Sequence, residues 1–119
     1  MGRRGLILLV TVLAAGCGPT PPQAPGRQAH QLNVSLSSIS TACGQAIEVM
    51  TFSSGGSALA KAEKQAEQQI PTLARIHTQN AAWIFQGKTV AELVVMTKTY
   101  LDECGLHAAA RRLQRVVSG

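Results

Sequence analysis

Leu32, Leu36, Ile39, Cys43, Ala46 and Met50 follow one another at steps of four, three, four, three and four residues. That spacing gathers six apolar side chains on one side of an α-helix but scatters them over both faces of a strand, so it selects the helix. Nothing in the chain alternates apolar and polar residues for long, and no Asn-Gly pair is present to close a hairpin. The aromatic residues are only Phe52, Trp83, Phe85 and Tyr100. A core here must come from Leu, Ile, Val and Ala, which suits close-packed helices better than a sandwich. Ser35, Ser38 and Thr41 lower the intrinsic propensity of the first helix, so it depends on tertiary packing.

The rest of the chain repeats the helical pattern. Ser53-Ser54-Gly55-Gly56 is turn chemistry, and Ser57 can cap a second helix over residues 58–70. Lys61, Glu63, Lys64 and Glu67 read as its solvated face. Pro71 either kinks this helix or restarts it from a first-turn position; the kink is the favoured reading, with helix continuing past Leu73, Ile76 and His77. Trp83-Ile84-Phe85 and a Gln86-Gly87 turn follow. Thr89-Val90-Ala91-Glu92 matches a capping box, in which the threonine oxygen and the glutamate each satisfy a free backbone N–H. The helix it opens is expected to turn Val90, Leu93, Val94, Thr97, Tyr100 and Leu101 inward and to end at Gly105 in the left-handed region. A last helix carries Leu106, Ala109, Ala110, Leu113, Val116 and Val117 on one side, with Arg111, Arg112 and Arg115 in its latter half, favourable near a helix C-terminus. The expected fold class is all-α: a small antiparallel bundle of about four helices over residues 31–119.

The N-terminus has a different character. Arg3 and Arg4 precede an apolar run at residues 6–13 (LILLVTVL) and the small residues Ala14, Ala15 and Gly16, the three parts of an export signal. The uncharged stretch from Gly5 to Gly16 is twelve residues, against the ~20 that a spanning helix needs. Leu13-Ala14-Ala15-Gly16-Cys17 resembles the bacterial lipobox, the motif read by prolipoprotein diacylglyceryl transferase and lipoprotein signal peptidase. The resemblance covers only the first seventeen residues, and Ala14 departs from the commoner leucine. It implies removal of residues 1–16, a diacylglycerol thioether on Cys17, and a palmitate-type anchor in the lipid bilayer at the outer face of a membrane. Two or three acyl chains hold durably, at ~0.8 kcal/mol per buried CH₂. Residues 17–30 then form a spacer. They hold four of the five prolines and, beyond Cys17, no apolar residue larger than alanine. Extended at ~3.1 Å per residue, such a spacer lets the body stand up to ~40 Å from the bilayer.

Assigning Cys17 to lipid leaves Cys43 and Cys104, which export would place in an oxidising compartment; a disulfide is the simplest outcome. The competing possibility is a small-ligand or metal carrier in which Cys43, Cys104, His77 and His107 converge. No cofactor is expected. The formal charge is +5; setting Arg3 and Arg4 aside leaves nine basic residues against six acidic, or +3. That modest excess, with no basic run interleaved with aromatics, argues against nucleic acid as a partner. No G-x-S-x-G, H-E-x-x-H or phosphate loop occurs, and the few carboxylates are scattered, so an enzyme is not expected. The functional expectation is a non-enzymatic, membrane-anchored interaction module of the cell envelope, meeting an envelope protein or a cell-wall polymer. Trp83, Ile84 and Phe85 offer either its contact surface or a plug for the end of the bundle.

Overall fold

The computed structural model describes residues 22–52 and 56–118. The expected export signal, the expected lipidation site at Cys17 and residues 17–21 of the expected spacer lie outside the described residues. Among the described residues there are five helices and one two-stranded hairpin: α1 (Gly26–Phe52), α2 (Gly56–Glu67), α3 (Ile70–Asn80), β1 (Ile84–Phe85), β2 (Lys88–Thr89), α4 (Val90–Glu103) and α5 (His107–Ser118). None of these helices is long and apolar enough to cross a membrane.

The five helices make four arms. Gln65 Nε2 donates to the Ser38 carbonyl at 3.3 Å and Arg75 to Gln31 Oε1 at 2.7 Å, so α2 and α3 descend together along α1. The α4 helix then rises from the hairpin, and α5 descends beside it, bringing Val117 back level with His77 and Ala91. This up-down-up-down arrangement is the antiparallel bundle expected from the periodicity. Its core is aliphatic: Leu32, Ile39, Ile70, Leu73, Ile76, Leu101, Leu106 and Leu113 are all buried, with alanines where helices approach closely.

Pro71 restarts a helix instead of kinking one. Gln69 N–H turns to the Ala66 carbonyl at 3.0 Å, a tightened bond three residues back, and Gln68 and Gln69 form a turn. The α3 helix then begins at Ile70 with Pro71 in its first turn, where its missing N–H costs no hydrogen bond.

The capping box at the start of α4 is present in both directions. Glu92 N–H donates to Thr89 Oγ1 at 3.1 Å, and the Glu92 carboxylate accepts from Thr89 N–H at 3.0 Å. Thr89→Ala is therefore expected to lower stability by about 1 kcal/mol in chemical denaturation. The other end of α4 also follows the expectation: Gly105 has φ 92°, its N–H donates to the Asp102 carbonyl at 3.1 Å, and Leu106 N–H reaches the Leu101 carbonyl at 2.9 Å. Leu101 and Leu106 are both buried, completing the apolar contact of a Schellman motif.

Three further expectations are corrected. The folded body starts before residue 31. Ala24 N–H donates to the Ile84 carbonyl and Ile84 N–H to the Pro22 carbonyl, both at 2.9 Å, so the end of the spacer lies as a short parallel strand against β1. Pro25 then accepts from Ala29 N–H at 2.8 Å and opens α1 at Gly26. The prolines hid this because they suit an extended edge segment and a helix start as well as a spacer. Second, Glu63 does not simply face solvent. Its carboxylate accepts from Ala109 N–H at 3.1 Å, satisfying a free amide in the first turn of α5 from another helix. Third, Tyr100 and Val116 are exposed, not inward.

Candidate functional site

Tyr100 lines an open, mostly apolar concavity. It lies between α1 and α4, encloses ≈ 520 Å³, and is lined by Leu36 and Ile39 from one wall and Leu93, Met96, Thr97 and Tyr100 from the other. The α4 helix supplies its outer ridge because its apolar residues run more than half-way around the cylinder. Val90, Val94, Thr97 and Leu101 point into the core, leaving Val95, Met96 and Tyr100 64%, 49% and 41% exposed. The apolar residues of α4 thus exceed what the bundle buries.

The hydroxyl on the groove floor is turned away from it. Thr97 Oγ1 donates to the Leu93 carbonyl of its own helix at 2.7 Å, so the floor presents a methyl instead of a hydroxyl. The exposed Glu103 lines the groove at one end, and Glu92 lies in an adjoining concavity with Ala91, Val95 and Met96, its carboxylate bonded to Thr89. Glu92 is held below the usual carboxylate range, first by the Thr89 N–H bond and then by the Thr89 hydroxyl.

The groove's walls are braced at both ends. At the hairpin end, residues 22–24 leading into α1 pair with β1, and β2 leads directly into α4. At the other end Cys43 of α1 and Cys104, just after α4, come together at disulfide distance with their Cα atoms 5.4 Å apart. Both cysteines are buried.

The remaining expected site residues fall elsewhere. Phe85 is in the core, Trp83 is half-buried and packed against it, and Ile84 is half-buried with its backbone engaged on both sides. These three residues close the end of the bundle. The four candidate ligands do not converge: the cysteines pair with each other, and His107 Nδ1 sits 3.1 Å from Asp102 Oδ1. His77 lines a separate groove between α4 and α5. Among the described residues no group of three or more His, Cys, Asp or Glu is placed to hold a metal ion.

Asp102 also accepts from Lys98 Nζ at 3.3 Å. Its carboxyl is held below the ordinary value, chiefly by the His107 bond and next by Lys98. A carboxyl whose pKa is lower folded than unfolded adds stability above its unfolded value and loses it as pH falls through the folded value. Thermal midpoints should therefore hold steady near neutrality and drop below about pH 4. Asp102→Asn combined with Glu92→Gln should flatten that drop; an unchanged acid slope would count against both contacts.

Comparison with protein-family models, with curated proteins and with solved structures finds no match to this chain. The functional reading therefore rests on the residues and their geometry.

Proposed function

We propose that this chain is a non-enzymatic interaction module, anchored by lipid at the extracytoplasmic face of a bacterial membrane, whose α1–α4 groove seats a short amphipathic helix of an envelope protein. The anchor rests on the lipobox-like Leu13-Ala14-Ala15-Gly16-Cys17. The observation that carries the contact reading is an apolar groove lined at one end by Glu103, with Glu92 in the adjoining concavity beyond the other. Glu92 and Glu103 are eleven residues apart on α4, which at 1.5 Å per residue is about 16 Å, or three turns of a helix lying alongside. Helix-in-groove recognition uses apolar anchors at i, i+3/i+4 and i+7. Lys or Arg at the ends of such a helix would meet the two glutamates.

The test uses a fluorescent amphipathic peptide of about twelve residues, leucine on one face and lysine at both ends, titrated by anisotropy. Val95→Glu and Met96→Glu each place a carboxylate on the apolar ridge and should weaken binding about tenfold or more. A peptide with glutamate at both ends should bind more weakly than the lysine version. Equal binding of the two peptides, or unchanged affinity in Met96→Glu, would sink the groove assignment. The anchor is tested separately: labelled palmitate should enter the chain and be lost in Cys17→Ser.

A further inference from the structure

The strand pairing of residues 22–24 fixes which end of the body is nearest Cys17. Only Gly18, Pro19, Thr20 and Pro21 separate Cys17 from the hydrogen-bonded Pro22. Five Cα steps at 3.3–3.6 Å reach ~18 Å at most, well short of the ~40 Å allowed by a fourteen-residue spacer. A lipid on Cys17 would thus hold the hairpin end of the bundle against the bilayer.

That end is basic. Arg27 lies in the first turn of α1, Arg75 beside Gln31 in the lower half of α3, Lys88 at the start of β2, and Arg115 in the last turn of α5. All four are exposed. Further along the bundle five carboxylates, Glu48 on α1, Glu63 and Glu67 on α2, and Asp102 and Glu103 on α4, are matched by the five remaining basic residues, Lys61, Lys64, Lys98, Arg111 and Arg112. Glu92 alone is at the basic end, and its carboxylate is engaged by Thr89. A body with a net charge of only +3 beyond the leader is therefore polarised along its axis, with the positive pole where the chain leaves for the anchor.

We infer that the hairpin end of the bundle is a membrane-contact surface that recognises anionic lipid headgroups, and that it stands the body upright on the bilayer. The inference rests on the lipid-anchor reading. Basic residues near an anionic surface each strengthen its attraction by about fivefold in partitioning. The groove then rises away from the bilayer with α4, its Glu103 end outermost.

Trp83 is the single tryptophan and sits at the hairpin end, where its carbonyl accepts from Val90 N–H at 2.9 Å. Energy transfer from Trp83 to dansyl-headgroup lipid can therefore report the orientation, using palmitate-labelled protein from cell membranes in phosphatidylcholine vesicles with or without phosphatidylglycerol. Transfer should be stronger with phosphatidylglycerol and should fall about twofold or more in Arg27→Glu/Lys88→Glu/Arg115→Glu or in high salt. Lys61→Glu/Lys64→Glu/Arg111→Glu carries the same change of charge elsewhere and should leave transfer unchanged; matching circular dichroism confirms that both variants fold. Labelled protein whose transfer ignores the first triple variant, or responds equally to both, overturns the membrane-contact surface while leaving the anchor intact. Protein that takes up no label removes the anchor reading, and the inference with it.

Discussion

Replacing both Cys43 and Cys104 by alanine should lower the unfolding free energy by about 4 kcal/mol, the chain-entropy value for a loop of this length. The two residues are 61 apart in sequence, so the bond closes a loop of more than half the chain. At ~4–8 °C per kcal/mol for a domain of this size, the thermal midpoint should fall on the order of 15–30 °C. The loss can be reproduced without mutation by adding reductant to the wild-type chain. Before reduction its intact mass should be about 2 Da below that of the reduced chain. The alanine variant should be insensitive to reductant. If wild type and variant melt together, the bond does not constrain the fold.

Two neighbours on α4 should then respond in opposite ways. Leu101 is fully buried, belongs to the main core, and accepts the Leu106 N–H that closes the helix. Leu101→Ala removes buried methyl groups from a packed site and should cost 2–5 kcal/mol in chemical denaturation. Val95, six residues earlier, is 64% exposed. Val95→Ala should change stability by no more than about 0.5 kcal/mol. The contrast separates the face of α4 that holds the fold together from the face left exposed. Equal losses at the two positions would mean that the helix is rotated relative to this description.

Much of the architecture can be read from local chemistry. The 4-3-4-3 spacing placed Leu32, Ile39, Cys43 and Ala46 in the core, and the capping box and Gly105 bounded α4. These signals work because each is set by backbone geometry within a few residues. The hairpin was less visible. Gln86 and Gly87 both take positive φ, 52° and 81°, the pattern of a type I′ turn. The turn itself is legible from Gly87, but glutamine gives no notice of its type I′ geometry, since Asn or Asp normally occupies that position.

The groove was less legible still. Leu93 and Tyr100 have the spacing of core residues, and only the position of α1 decides that they line an open concavity. Whether an apolar position is covered depends on how far the neighbouring helix extends, which is a long-range property. The Glu63 cap on α5 was hidden for the same reason, being made across 46 residues of sequence. Trp83, Ile84 and Phe85 drew attention as an aromatic cluster, and packing gave them the task of closing the bundle end.

The bracing of α1 and α4 at both ends bears on how a ligand would be met. Because one brace is covalent and the other is a set of backbone hydrogen bonds, the seat exists before anything arrives. The ordering entropy of its walls has been spent during folding, so a visiting helix would lose mainly its own freedom. Such association should be close to rigid docking, with little rearrangement of the groove backbone and little conformational delay in the on-rate. The two braces also differ in what can undo them. Reduction would release α1 from α4 only at the Cys43–Cys104 end, splaying the groove like a clothes-peg while the hairpin end stayed shut.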